Sequence, residues 1–191
     1  MKEMKNLLKI KSQIDSTSII DLNNVCGLNG ELIVGSGCDL RNLRVIFSAP
    51  RSILQIGNNC NIAGIIKIGL QSTCVIGNNV TSARNLAIVV LESTTCSIGN
   101  DCLFSNDVII RTCDGHHIND LKGNRINTSK SVRIEDRVWL GSRVIILKGV
   151  NICSDSVVGA GSVVSQSFNT SHVIIAGNPA RIVKNDICWK Y

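Results

Sequence analysis

Aliphatic residues recur every six positions through the second half of the chain. Steps of six from Ile134 land on Leu140, Ile146, Ile152, Val158 and Val164. Four residues after Ile134 and after each of these marks stand Val138, Val144, Val150, Ser156, Ser162 and Phe168, all small or β-branched except Phe168. A period of six fits neither a 3.6-residue helix nor a strand of simple alternation. It predicts a solenoid in which each hexad is one short flat strand and a turn, so that three hexads close a triangular rung of about 18 residues. Ile134 and Ile152 are 18 apart, as this requires. Upstream, the phrase Ile-Gly-Asn-(Asn/Asp) marks the same frame at Ile56, Ile76 and Ile98. The steps there are 20 and 22, which predict bulges of two and four residues at corners.

From Ile98 the hexads run on to Phe104 and Ile110, but the next mark, Ile134, lies 36 residues after Ile98. One rung accounts for half of that interval. Residues 114–131, DGHHINDLKGNRINTSKS, are expected to loop out, since they are polar and rich in the residues of irregular backbone. A long loop on a tight solenoid is more often functional than accidental.

The ends leave the frame. Residues 1–17 are expected to form a small helix, with apolar positions at Met4, Leu7, Leu8 and Ile10. Residues 18–55 are apolar but out of phase and are read as irregular early coils. Residues 56–168 are the β-helix proper. Residues 169–191 are expected to cap it, with Gly177-Asn178-Pro179 as a breaker and Ala180 to Trp189 as a closing strand or helix. The whole, 1–191, reads as one all-β domain.

Composition agrees with a narrow solenoid. Hydrophobic residues make up 44% of the chain but aromatics only 3%, so the core must be built from aliphatic side chains and cysteine. Sixteen glycines against two prolines predict turns with positive φ. The nine cysteines are odd in number, form no CxxC pair and follow no secretory leader, which points to reduced thiols used as small filler in a cytoplasmic protein. Cys60 and Cys102 fall in the inward slot four after Ile56 and Ile98. No apolar run is long enough to span a bilayer. The net charge is +6, gathered at Lys2, Lys5, Lys9 and Lys11 and at Arg181, Lys184 and Lys190. There is neither a long basic run nor an aromatic stacking surface, which argues against nucleic acid as the partner.

The chain has three histidines, His116, His117 and His172, and two of them fall in the extruded loop. A loop histidine either acts as a base or caps a turn, and residue type alone leaves both open. The stretch SVRIEDRVWLGSRVIILKGVNICSDSVVGAGSVVSQSFNTSHVIIAGNPARIVK, Ser131 to Lys184, resembles the hexapeptide-repeat acyltransferases. It is similar to the C-terminal half of the maltose and galactoside acetyltransferases and to the enzymes that O-acetylate bacterial surface polysaccharides. The motif Asp114-Gly115-His116-His117-Ile118 is more like the second group.

That resemblance implies a left-handed parallel β-helix, assembly as a homotrimer, and acetyl-CoA as acyl donor to a carbohydrate acceptor. It implies His116 as the general base, with direct transfer and no covalent intermediate. Asp114 would either orient the imidazole or cap the loop. Trp139, placed outward by alternation, would stack on sugar or cofactor, donate its N–H to the thioester oxygen, or pack between subunits. The backbone N–H of Ser142 would meet the thioester carbonyl, and that of Ala160 the pantetheine arm. Ser165 and Gln166 match a Thr-Lys pair near the adenine, where Gln166 supplies no charge. Arg181 and Lys184 match positions that meet the phosphates.

No metal is expected. A γ-class carbonic anhydrase on the same scaffold needs three converging imidazoles, and adjacent His116 and His117 with distant His172 do not suit it. A sugar-nucleotide N-acetyltransferase is disfavoured by the lack of a Gly-rich loop in residues 1–55, and a non-catalytic trimeric scaffold by the loop motif with Arg181 and Lys184.

Overall fold

The structure is a computed structural model that describes residues 11–27 and 29–190. The chain winds into a parallel β-helix with three walls. Each wall is a stack of strands in which residues one rung apart pair in register. Among the described residues, the first wall runs from Lys11–Ile14 through Gly30–Val34, Ser52–Ile56, Thr73–Ile76, Thr95–Ile98 and Val132–Ile134 to Asn151–Ile152. The third runs from Val25–Gly27 through Leu43–Phe47, Gly64–Ile68, Leu86–Val90, Ile109–Arg111 and Ile145–Ile146 to Val163–Val164. The second is thinner: bridges at Asn61 link Ile19–Ile20 and Asp39–Leu40 to Thr81–Ser82, and the stack continues through Leu103–Phe104, Trp139–Leu140 and Val157–Val158 to Ile174–Gly177.

The hexad frame is the core. Ile134, Leu140, Ile146, Ile152, Val158 and Val164 are all buried, and so are the slot residues Val138, Val144, Val150, Ser156, Ser162 and Phe168. Each large aliphatic side chain removed from water in this way stabilises by about 1.5–3 kcal/mol before entropy is counted. Cys38, Cys60 and Cys102 fill the same slot and donate to the next rung, at Gly57 O (3.1 Å), Gly77 O (3.1 Å) and Glu135 O (3.2 Å). Burial pushes the Cys60 thiol up to about 11 and the Cys102 thiol up to about 12, so both stay protonated and inert.

Corners repeat as strictly as walls. Asn59, Asn79, Asp101, Arg137, Asp155 and His172 all take a left-handed φ between 54° and 59° where the first wall turns into the second. Asn and Asp tolerate that conformation better than most residues. Beside them, side chains climb the corner: Asn58 Oδ1 accepts Ser36 N–H, Asn78 Oδ1 accepts Asn58 N–H, Asn100 Oδ1 accepts Asn78 N–H, and Asp136 Oδ1 accepts Asn100 N–H.

Three expectations change. Residues 18–55 are not irregular: Val34 lies opposite Ile56, and Val45 opposite Ile66, in unbroken register. The longer steps come from longer strands, not from corner bulges. Leu86–Val90 and Thr95–Ile98 have five and four residues, whereas Ile145–Ile146 and Asn151–Ile152 have two each. In the rung between Ile56 and Ile76, these same two walls are long and the corner at Asn61–Gly64 is shortened. Of the N-terminal helix, residues 1–10 lie outside the described residues, and Lys11–Ile14 is a strand paired with Glu31–Val34. The cap is the closing strand: Ala180–Lys184 turns back antiparallel on Ile174–Gly177 through a cis Asn178–Pro179 bond.

Candidate active site

The loop leaves the corner between the third and first walls. Its two ends are pinned to the rung beneath. Thr112 Oγ1 and Thr94 Oγ1 are 2.6 Å apart, Lys130 N–H donates to Thr112 O (3.0 Å), and Thr95 N–H donates to Ser131 Oγ (3.0 Å). Ile98, Phe104 and Ile110 then pair with Ile134, Leu140 and Ile146 as though the chain were continuous. Further out, the loop folds on itself. Asn119 bridges Arg125, Asp120 caps the tip by accepting from Lys122 N–H and Asn124 N–H, and Glu92 holds Arg125 (2.6 Å) and Ser129 (2.8 Å) from the rung below.

His116 and His117 are both exposed, and neither ring has a hydrogen-bond partner among the described residues. Gly115 precedes them at φ +87°, a conformation side chains rarely adopt, with an Arg111 guanidinium nitrogen 3.4 Å from where a Cβ would stand. Asp114 does not reach the imidazole. Its carboxylate is taken by Lys148 Nζ and by Asn127 Nδ2 (2.8 Å), bonds that fasten the loop. The Lys148 ammonium, ahead of the Asn127 amide, holds the Asp114 carboxyl below the usual carboxylate range.

Ser142 and Ala160 lie on a different edge from the loop. Ser142 and Ala160 follow the second wall in successive rungs and line one open groove of about 400 Å³ with Asn106, Asp107, Arg143 and Gly161. Neither the Ser142 N–H nor the Ala160 N–H has an acceptor among the described residues. Gly141 lets these two rungs stack closely, because a Cβ there would meet Ala160 N at 2.7 Å. Trp139 points outward, 37% exposed. Its Nε1 donates to Ser105 Oγ (3.3 Å) and its ring tilts at 44° against Trp189, 6.1 Å away. The indole N–H is therefore engaged, and the ring face is what remains on offer. Arg181 and Lys184 are exposed on the closing strand, whereas Ser165 and Gln166 follow Val163–Val164 at the same corner as the loop. The chain by itself thus brings Ser142 and Ala160 together and leaves His116 on a separate edge. Among the described residues, no group of three His, Cys, Asp or Glu is placed to hold a metal.

The family model for the hexapeptide repeat of succinyl-transferase matches residues 131–166. A polysialic acid O-acetyltransferase of Neisseria meningitidis is 35% identical over 180 residues, which cover 92% of this chain and 83% of that protein. The chain belongs to the hexapeptide-repeat acyltransferase family. A second polysialic acid O-acetyltransferase, from Escherichia coli O1:K1, is 38% identical over 137 residues, but this acyltransferase spans only 44% of its length. The crystal structure of a polysialic acid O-acetyltransferase superposes with a TM-score of 0.83 at 30% identity, covering 96% of this chain and 92% of that one. That of a polysialic-acid-specific acetyltransferase gives 0.80 at 34% identity, covering 96% and 88%. The fold is accordingly the left-handed form of the β-helix.

Four residues of the acyltransferase that touch the candidate site carry no motif: Asn127, Lys148, Ser105 and Trp189. Lys148 and Trp189 meet their partners Asp114 and Trp139 across 34 and 50 positions, and only the coiling brings them together.

Proposed function

We propose that this chain is an acetyl-CoA-dependent O-acetyltransferase that acts on a sugar hydroxyl of a bacterial surface polysaccharide or its precursor. The observation that carries the reading is His116: an exposed imidazole with both ring nitrogens open, held at the head of a loop whose ends are tied down. Relatives named for polysialic acid, together with the net charge of +6, favour an acidic polymer as acceptor.

The reaction follows from the chemistry of the groups. The neutral imidazole of His116 takes the proton of the acceptor hydroxyl as its oxygen attacks the thioester carbon. The carbonyl oxygen gains negative charge and is met by the Ser142 N–H, a fixed dipole with no other acceptor among the described residues. The tetrahedral adduct collapses, the C–S bond breaks, and the leaving thiolate takes the proton back from the imidazolium. Ala160 would receive the pantetheine arm in the shared groove, Ser165 and Gln166 the adenine end, and Arg181 and Lys184 the phosphates. Trp139 would present its ring face to sugar or cofactor.

This reading needs a homotrimer. The loop and the groove occupy different corners, so the base of one subunit works on the thioester held by its neighbour, and threefold closure satisfies all sites at once. Nine free cysteines and a cytosolic donor support a cytoplasmic location.

The test is acetyl transfer by wild type and His116→Ala against a panel of glycans that includes polysialic acid. A loss of about 10²–10⁴ in kcat, with acetyl-CoA binding retained, is expected. Undiminished transfer in the variant would remove the mechanism.

A further inference from the structure

Asn127 is the one polar residue of the loop that is buried, at 8% exposure. Its carboxamide works at both ends. Oδ1 accepts the Ile118 N–H (2.8 Å), and Nδ2 donates to the His116 carbonyl (2.8 Å) as well as to Asp114 Oδ2 (2.8 Å). The carbonyl of His116 itself, the amide two residues on and the side chain two residues before are therefore fastened to a single side chain. Lys148, from the following rung, closes the arrangement: its Nζ donates to Asp114 Oδ2 and to the Asn127 carbonyl (3.1 Å). Arg125 Nε adds a bond to Asn127 Oδ1 (3.3 Å) and is itself held by Glu92.

A base is useful only where the proton is. Serine and cysteine hydrolases commonly solve this by bonding a carboxylate or amide to the imidazole. Here the ring has no such partner among the described residues, and the nearby carboxylate is already committed. What is fixed is the backbone that carries the ring. We propose that Asn127 is a positioning residue for His116, locked by Asp114 and by Lys148 of the next rung, and that it sets the base through its main chain rather than through its ring. This rests on the reading of His116 as the base. Lys148 follows Ser142 and the strand Ile145–Ile146 within one rung, so the clamp ties the loop to a rung that lines the groove.

Misplacement of a reacting group by about 1 Å can cost about 100-fold in rate. Asn127→Ala is therefore expected to lower kcat 10- to 100-fold in the full-length protein, with acetyl-CoA and polysialic acid as substrates, while KM for acetyl-CoA stays within twofold. Exchange of the Ile118 amide should quicken at least tenfold, with the rung amides unchanged. In a His116→Ala background, the same substitution should add less than a twofold loss, because its effect passes through the missing base. Lys148→Met should show a weaker version of each effect and Lys148→Arg should recover most of it; this pair decides the matter if Asn127→Ala does not fold. Unchanged Ile118 protection in Asn127→Ala overturns the clamp. Faster exchange with unaffected turnover, or an equal loss with and without His116, overturns the positioning role. If His116→Ala alone keeps full transfer, the base reading fails by itself, and the Ile118 exchange still reports whether the clamp exists.

Discussion

The two halves of the solenoid solve the same problem with different economy. Between Gly30 and Ile98 the first and third walls are four or five residues long and alternate buried and outward positions throughout. Between Val132 and Val164 the walls shrink to two or three residues, and serine suffices in the slots at Ser156 and Ser162. The wide half admits bulk: Phe47, with Phe104 one of the two largest fully buried side chains, belongs to it. The narrow half puts a larger share of its residues at corners. There, backbone N–H groups at Ser142 and Ala160 are left open. The difference suggests a division of labour, with stability concentrated in the wide rungs and ligand contact at the corners of the narrow ones. The loop with His116 leaves at the boundary between them.

That division can be broken by substitutions chosen to separate fold from chemistry. Phe47→Ala, in the wide half, should cost about 3–5 kcal/mol of stability, read as a lower midpoint of denaturation. Its kcat below the unfolding transition should stay within twofold of wild type. A matching loss of kcat would show that the wide rungs shape the site as well. Ala160→Leu, in the narrow half, should do the reverse. The position is exposed, so stability should move by less than about 0.5 kcal/mol. The groove would be filled, and KM for acetyl-CoA should rise about tenfold. An unchanged KM would remove Ala160 from the cofactor groove.

The smallest effect concerns acid and sets the loop against both halves. Asp114, bonded first by Lys148, and Glu92, bonded first by Ser129 and then Arg125, both hold their carboxyls below the usual range. A carboxyl lowered on folding lends stability that is complete above its unfolded value, near about 4. That stability is lost as pH falls through the lower folded value. Protection factors of the Ile118 and Lys130 amides, which donate to Asn127 Oδ1 and Thr112 O, should therefore decline below about pH 4 while those of the wall strands hold. A parallel decline in loop and walls would mean that the loop is not separately anchored.

Legibility in the sequence followed the same boundary. In the narrow half the period is bare, and every frame residue from Ile134 to Val164 was assigned its inward place. In residues 18–55 the period is hidden by steps of 20 and 22 and by the lack of the Ile-Gly-Asn phrase. Val34-Gly35 stands there instead, with Cys38 four residues on, as Cys60 follows Ile56. That echo was the available clue. Within the site, Trp139 could be turned outward by alternation alone. Asp114 could not be assigned, because its partner Lys148 arrives from the next rung, and salt-bridge partners across a corner leave no periodic trace.

The register across the loop has a consequence for how such proteins diversify. Because the hydrogen-bonded ends at Thr112 and Lys130 close the corner, the stack above and below is indifferent to what hangs between them. The inserted stretch behaves as a cassette. It can lengthen, shorten or be traded for another without the walls losing phase, provided the tie points and the seat for Lys148 survive. New acceptors would then be acquired by revising one corner, with the rest of the molecule inherited unaltered.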